Sequence, residues 1–272
     1  MRNCLENVRK MAPLVHNITN YVTVNDVANV ILAAGASPIM ADDEDEVEEI
    51  TALCNALNVN IGTLNKRTVC SMIKAGNKAV SLGNPVLFDP VGAGASRLRT
   101  QTALKLIHEI PFSAIRGNIS EIKTIAAGTG STKGVDADIA DVVTEKNLSE
   151  AVSFIKDVAK KQNAIIVATG AIDLVSDSNQ CYVIRNGEAL MSSITGTGCQ
   201  LSGMMAAYLA ANKDNMLKAA AAAVCAMGLA GEIAKKHLKE YEGNATYRNR
   251  IIDSICHMDG DALEEGAQYE IR

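Results

Sequence analysis

The segment Thr195-Gly196-Thr197-Gly198-Cys199 has the residue types of an anion-binding loop. Glycines let the backbone turn sharply and expose successive N–H groups where a predicted helix begins. The dipole of that helix adds positive potential, so the loop could hold a phosphate or a migrating phosphoryl group. An ordinary helix-start loop fits the same residues. The segment is not a Walker loop, because no lysine follows, and Leu201 breaks the G-x-G-x-x-G dinucleotide fingerprint.

Three other polar or glycine-containing segments follow predicted strands. They are Asp89–Gly94, Arg116–Asn118 and Thr169–Gly170. Ligands of open α/β sheets bind beyond the carboxyl ends of the strands. Any one of these segments could be an ordinary loop, but four such segments together indicate a binding site at one edge of a sheet.

Short apolar runs alternate with longer amphipathic stretches, which predicts strands separated by helices. The predicted strands are Ser37–Met40, Val59–Ile61, Val86–Asp89, Ala114–Arg116, Ala164–Thr169, Ile172–Val175 and Cys181–Ile184. The predicted helices are Val22–Ala34, Glu44–Leu57, Lys66–Gly76, Thr100–Glu109, Ser120–Ala127, Leu148–Gln162 and most of the chain after Gly198. The last two strands predict an antiparallel hairpin. We expect a single α/β domain over residues 1–272, with a mostly parallel central sheet and helices on both faces.

Composition excludes several classes of protein. Of the 272 residues, 48% are hydrophobic and 21% charged, which permits a large core. The net charge of -5, the 3% aromatic content and the absence of Trp argue against a nucleic-acid partner. The apolar run Ala219–Gly231 is shorter than the roughly 20 residues of a membrane span, and residues 1–13 lack a signal-peptide pattern. We therefore expect a soluble cytoplasmic protein, with most of its seven scattered cysteines buried.

Five segments, in this order, carry a resemblance to a known group of enzymes. They are His16–Val22, Gly35–Met40, Asp89–Ala93, Arg116–Asn118 with Glu121, and Gly196–Cys199. They resemble the ribokinase-like superfamily and, within it, the hydroxyethylthiazole kinase family, whose members phosphorylate 4-methyl-5-(2-hydroxyethyl)thiazole in thiamine salvage. Most of the superfamily carries Asp where this chain has Cys199, and the thiazole kinases carry Cys.

The resemblance implies roles for the matching residues. Met40 and Gly196 would line the thiazole site, with Asn25 as a polar neighbour. Arg116 and Thr169 would bind ATP, and a guanidinium suits bidentate contact with phosphate. Core packing is the alternative for Met40. Residues 129–134 resemble a mobile surface loop near the nucleotide, by position only.

A magnesium ion is also implied by the resemblance. Asn118 and Glu121 match the superfamily's N-x-x-E element, which organises magnesium through water, and Asp89 is a second candidate near the metal. One or two carboxylates and the ATP phosphates satisfy this ion, because it retains waters. Capping at the ends of strands is the alternative for Asp89 and Asn118.

The chemistry implied is in-line attack of the thiazole hydroxyl on the γ-phosphorus of ATP. Magnesium, Arg116 and the N–H groups from Gly196 through Gly198 to Cys199 would neutralise the transferring charge. Cys199 stands where a catalytic base usually lies, and a helix N-terminus lowers a thiol pKa, so partial ionisation is expected. Our hypothesis is that Cys199 orients the hydroxyl and at most assists its deprotonation. A packing role is the alternative.

Two other functions remain open at this point. A kinase of another vitamin precursor, such as a hydroxymethylpyrimidine, would share the fold, although Cys199 disfavours it. A non-catalytic thiazole- or nucleotide-binding sensor is the other class. A pure thiazole sensor would have no need of the phosphate-handling residues Arg116, Asn118, Glu121 and Gly196. The resemblance also implies a homotrimer with its sites between subunits.

Overall fold

The computed structural model describes residues 1–128 and 142–272. Within them, nine strands form one sheet in the spatial order β2-β1-β3-β4-β5-β6-β7-β8-β9. Their bounds are β1 Leu14–Ile18, β2 Ser37–Met40, β3 Ala56–Asn60, β4 Val86–Asp89, β5 Ala114–Asn118, β6 Ile165–Thr169, β7 Asp173–Ser176, β8 Cys181–Ile184 and β9 Tyr269–Ile271. Neighbours from β2 to β6 pair in parallel, and β7 to β9 are added antiparallel. The mostly parallel sheet and its appended hairpin are confirmed.

Helices cover both faces of this sheet. Their bounds are α1 Arg2–Met11, α2 Val24–Ala33, α3 Val47–Leu53, α4 Lys66–Ser81, α5 Arg97–Glu109, α6 Ile119–Gly128, α7 Leu148–Gln162, α8 Thr197–Ala211, α9 Met216–Lys236, α10 Asn244–His257 and α11 Gly260–Gly266. Short 3-10 helices occupy Ala189–Ser193 and Lys213–Asn215. The loop at 129–134 lies outside the described residues.

Alternation along the central strands produces two apolar cores. In β4, Leu87 belongs to the core under α1, α2 and α8–α11, and its neighbour Phe88 to the core under α3–α7. Successive side chains of a strand point to opposite faces, so a strand covered on both sides reads as a continuous apolar run. The predicted helices on both faces are therefore confirmed.

The predicted helix Glu44–Leu57 was too long. Helix α3 ends at Leu53, and Leu57 lies in β3, where its N–H donates to the Pro85 carbonyl at 3.0 Å. The strand predicted at Val59–Ile61 therefore began too late, because β3 spans Ala56–Asn60. The boundary between α3 and β3 is set by pairing of β3 with its neighbouring strand. The spacing of apolar residues in the sequence does not show where that pairing begins.

Helix α1 and strands β1 and β9 were not predicted from the sequence. Strand β1 was hidden because it carries polar residues that are nevertheless buried, among them His16. The His16 ring reaches Thr51 Oγ1 at 2.9 Å and the Ala41 carbonyl at 2.8 Å. Burial lowers the His16 pKa. A buried polar group is tolerated when it has such partners.

One segment, Lys213–Lys236, is long and apolar enough to cross a membrane by length and composition, with a mean hydropathy of 1.5. In the fold, 72% of its most apolar window is buried, and α9 packs against α8 and α10. It is therefore a core helix of this protein. Five of the seven cysteines are buried, as expected, and Cys70 and Cys256 are exposed.

Candidate active site

The carboxyl ends of the parallel strands bring polar side chains to one edge of the sheet. Asp89 ends β4 opposite Asn60, the last residue of β3. Asn118 ends β5 opposite Thr169, the last residue of β6. These registers place the polar strand ends side by side, as the positions of the segments in the sequence predicted.

Helix α8 begins at this edge with its first turn open. Gly196 stands just before it at a φ of +85°, a conformation that glycine adopts without strain. A β-carbon on Gly196 would lie 2.2 Å from Thr23 Cγ2, so the close approach also demands glycine. No side chain caps the helix. The first N–H groups of a helix have no intrahelical partner, so those of Thr197, Gly198 and Cys199 can bind an anion.

Arg116 lies against that first turn. A β-carbon on Gly198 would lie 2.4 Å from both terminal guanidinium nitrogens of Arg116. Nη2 of Arg116 donates a hydrogen bond to Thr169 Oγ1 at 2.6 Å, which fixes the guanidinium in place. A cation therefore stands beside the exposed N–H groups, and together they can bind a multiply charged phosphate.

Asp89 is fully buried behind Arg116. Its Oδ1 lies 3.5 Å from Arg116 Nη1, and its Oδ2 accepts hydrogen bonds from Asn60 Nδ2 at 2.9 Å and Ser202 Oγ at 2.8 Å. Burial raises the pKa of Asp89, and the charge of Arg116 opposes the shift. The negative charge of Glu121 raises this pKa further.

Asn118 and Glu121 form a capping box at the start of α6. Asn118 Oδ1 accepts from the Glu121 N–H at 2.8 Å, and Glu121 Oε2 accepts from the Asn118 N–H at 2.8 Å. Glu121 Oε1 also accepts from the Gly92 N–H at 2.7 Å. In this structure the Asn118 side chain therefore caps α6, which was the alternative to a role at the metal. The same hydrogen bonds hold the Glu121 carboxylate near Asp89.

These carboxylates suit a magnesium ion better than a transition metal. Within residues 1–128 and 142–272 there is no cluster of three or more His, Cys, Asp or Glu side chains that could enclose a metal. Magnesium needs fewer protein ligands, because it keeps waters and takes phosphate oxygens. Asp89 and Glu121 repel each other's charge, and a divalent cation near both would relieve that repulsion.

Cys199 is nearly buried, with 8% of its surface exposed. Its Sγ receives hydrogen bonds from Asn20 Nδ2 at 3.2 Å and Asn60 Nδ2 at 3.3 Å. Burial raises the pKa of the thiol, and the charge of Asp89 raises it further. The partial ionisation expected from the sequence is therefore wrong in direction, because burial outweighs the position at a helix N-terminus.

A cleft of about 600 Å³ extends away from this edge. Its lining includes the polar group Arg116, Thr169 and Gly198 and also the apolar side chains Val224 and Met227. Such a mixed lining suits a molecule that carries both charged and apolar groups.

Asp173 also lines the cleft, and its Oδ1 accepts from the Gly170 N–H at 2.8 Å. Burial raises the pKa of Asp173 to about 7. Its carboxyl group therefore changes charge close to neutral pH within the cleft.

Two residues assigned to the thiazole site lie apart from this hydrogen-bond network. Met40 ends the edge strand β2, in register with Asn17, and is half-buried against the core. Asn25 is exposed on the first turn of α2, where Asn29 Nδ2 donates to its Oδ1 at 3.1 Å. Among the described residues, neither makes a hydrogen bond with Gly196 or Cys199.

Several residues that complete the site had no role predicted from the sequence. They are Asn20, Thr23, Asn60, Ser202 and Asp173. Asn20 lay inside a segment that carried the resemblance, and Asn60 interrupts the apolar run around β3. A buried amide inside an apolar strand was the available signal, because such a group needs partners.

Comparisons with known proteins show which family this chain is similar to. A model of the hydroxyethylthiazole kinase family matches residues 5–261. A hydroxyethylthiazole kinase of Clostridium acetobutylicum is 57% identical over 270 residues and covers 99% of each chain. Another, of Ruminiclostridium cellulolyticum, is 48% identical and covers 97% of this chain and 94% of its own.

Solved structures show the same relationship. The structure of a hydroxyethylthiazole kinase protein from Pyrococcus horikoshii superposes with a TM-score of 0.89 at 32% identity, covering 99% of this chain and 98% of its own. A ribokinase-like superfamily protein from Enterococcus faecalis has a TM-score of 0.65 at 13% identity, covering 97% and 89%. The second likeness shows the ribokinase-like fold alone.

Proposed function

Because the chain belongs to the hydroxyethylthiazole kinase family, we propose that it transfers the γ-phosphoryl group of ATP to the hydroxyl of 4-methyl-5-(2-hydroxyethyl)thiazole, in thiamine biosynthesis or salvage. The observation that carries this proposal is the uncapped first turn of α8 in contact with Arg116. That arrangement binds phosphate, and Cys199 on the same turn stands beside it.

ATP would bind in the cleft with its phosphates at the start of α8. The N–H groups there, Arg116 and Thr169 would contact the phosphates, and Thr169 holds the guanidinium. The adenine ring would lie against Val224 and Met227. The γ-phosphoryl group would then point toward Cys199.

Magnesium would be held near Asp89 and Glu121, through water or directly. Asn118 supports Glu121 through the capping box. Bound there, the ion would neutralise phosphate charge. Oδ1 of Asp89 lies 3.5 Å from Nη1 of Arg116, so the ion and the guanidinium would both stand beside the triphosphate.

The thiazole would bind on the Gly196 side of Cys199, with Met40 as an apolar wall and Asn25 as a polar neighbour. Phosphoryl transfer has a loose transition state that needs little help from a base. Since the pKa of Cys199 is raised, its thiol stays protonated at neutral pH and orients the hydroxyl. Charge stabilisation then comes from the N–H groups of Gly198 and Cys199 and from Arg116.

We further propose that residues 1–272 form one domain of a cytoplasmic homotrimer with its sites between subunits. Tyr21 and Val22 leave 79% and 60% of their surface exposed, directly after Asn20, and Asn25 is exposed on the same segment. A partner subunit covering this segment would complete the thiazole pocket around Asn25. Light scattering coupled to size-exclusion chromatography would measure the mass; a monomer would contradict this part of the proposal.

The reaction is tested by ADP release from the purified protein with Mg-ATP, with and without hydroxyethylthiazole. Hydroxymethylpyrimidine is assayed in parallel. Thiazole-dependent ADP release supports the proposal. Turnover with the pyrimidine alone would favour the other vitamin-precursor kinase, and thiazole binding without ADP release would favour a sensor.

A further inference from the structure

We infer that the side-chain amides of Asn20 and Asn60 form a clamp that positions the Cys199 thiol for phosphoryl transfer. Both amide nitrogens donate to Cys199 Sγ, at 3.2 Å and 3.3 Å. This inference rests on the proposed function, because it concerns the geometry of that reaction. It makes Asn20 and Asn60 positioning residues that act through Cys199.

The orientation of the Asn20 amide is fixed by its other partners. Its Oδ1 accepts from the Thr23 backbone N–H at 3.1 Å and from Thr23 Oγ1 at 3.0 Å. A backbone N–H can only donate, so the oxygen must face Thr23 and the NH₂ group must face Cys199. The second hydrogen of that group reaches Asn60 Oδ1 at 3.1 Å. Every hydrogen-bonding position of this buried amide is therefore used.

The Asn60 amide is fixed in the same way. Its Oδ1 accepts from the Gly62 backbone N–H at 2.8 Å, so its NH₂ group must face Asp89 and Cys199. The two clamping amides also bond to each other through Asn20 Nδ2 and Asn60 Oδ1. Networks of this kind rigidify a site when all members are satisfied.

The clamp determines what the sulphur can do. Two N–H donors occupy the acceptor positions of Sγ, so the thiol proton points away from Asn20 and Asn60. Thr23, which orients Asn20, is also the side chain that Gly196 packs against. The position of the sulphur is therefore coupled to the loop on the proposed thiazole side.

The test compares Asn20→Ala with Asn58→Ala by steady-state kinetics with hydroxyethylthiazole. Asn58 is a matched control: it is fully buried two residues before Asn60, donates to Asn17 Oδ1 at 3.0 Å, and among the described residues makes no hydrogen bond with Cys199. We expect Asn20→Ala to lower kcat about fivefold or more with little change in the KM for ATP, since it removes one hydrogen bond at the reacting end. Asn58→Ala should keep the wild-type kcat. In a Cys199→Ala background, Asn20→Ala should have no further effect.

Equal kcat values for Asn20→Ala and Asn58→Ala would overturn the inference. So would the same loss of kcat with and without Cys199, because the amide would then act independently of the sulphur. If Asn20→Ala fails to fold, Asn20→Ser takes its place, because serine retains a hydroxyl but is too short to reach Sγ. The same comparisons of kcat then decide whether the inference holds. Wild-type turnover with thiazole separates these results from failure of the proposed function, which would appear as an inactive wild type.

Discussion

Arg116 and Gly198 lie so close together that a β-carbon at position 198 would stand 2.4 Å from both terminal guanidinium nitrogens. The guanidinium therefore occupies the space of a missing side chain at the start of α8. A cation and free backbone N–H groups face the same cleft as a result. This relationship explains why glycine, and no larger residue, suits position 198.

The first prediction concerns that contact. Gly198→Ala should displace Arg116, raise the KM for ATP about tenfold or more, and lower kcat, because the phosphate-binding groups lose their alignment. Gly243→Ala is the control, since a β-carbon there meets nothing within 4 Å. Steady-state kinetics of both variants checks the prediction, with thermal melting to confirm folding. Unchanged kinetics in Gly198→Ala would show that Arg116 does not bind phosphate from this position.

A second prediction concerns Cys199 as a base. Since burial raises the pKa of this thiol, Cys199→Ala should retain at least about a tenth of the wild-type kcat, because a loose transition state gains little from a base. Single-turnover kinetics at pH 7 and pH 9 would measure the chemical step. A loss of nearly all turnover with intact thiazole and ATP binding would assign the base to Cys199.

A third prediction follows from the Asp173 pKa of about 7. Ionisation above that pH puts a negative charge in the cleft, so the KM for ATP should rise about twofold to fivefold between pH 7 and pH 8. Asp173→Asn should flatten this rise. Asp157→Asn, on the exposed surface of α7, should keep it. Parallel profiles for wild type and Asp173→Asn would remove Asp173 from the nucleotide site.

A fourth prediction concerns the effect of the Asp173 carboxyl group on protein stability. An acid with a raised pKa in the folded state binds its proton more tightly there than in the unfolded chain. The contribution of Asp173 to the free energy of unfolding should therefore fall as pH rises from 3.8 to about 7. In denaturant unfolding, the free energy of unfolding of Asp173→Asn should rise relative to that of the wild type over this pH range. A difference between the two proteins that stays constant with pH would contradict the raised pKa of Asp173.

A fifth prediction concerns the carboxylate behind Arg116. Asp89→Asn keeps the shape of the buried side chain but removes the ion pair with Arg116, so its thermal midpoint should fall below that of the wild type. In the folded variant the magnesium concentration for half-maximal activity should rise about tenfold or more, because one charge near the ion is lost. Magnesium titrations of activity check this. An unchanged magnesium requirement would remove Asp89 from the metal site.

The layout of the fold and of the site edge could be predicted from the sequence, because both follow from periodic patterns. Continuous apolar runs predicted the central strands, and the glycines before Cys199 predicted the start of α8. The contact of Arg116 with Gly198 could not be predicted, since it depends on packing between segments distant in the chain. Strand β1 was missed for the same reason, because the partners that allow His16 to be buried come from distant segments of the chain.

The pKa of Cys199 was mispredicted because its local and tertiary surroundings act in opposite directions. The sequence shows the position at a helix N-terminus, which lowers a thiol pKa. Only the fold shows the burial and the nearby charge of Asp89, which raise it. The roles of Met40 and Asn25 stay predictions, because the proposed thiazole pocket includes a second copy of the chain.

The most direct test of the central claim is phosphorus NMR of the products formed from Mg-ATP and hydroxyethylthiazole by the purified protein. The proposed function predicts one phosphomonoester signal, split by coupling to the hydroxyethyl methylene, in a one-to-one ratio with ADP. ADP accompanied only by inorganic phosphate, or no thiazole phosphate at all, would contradict it.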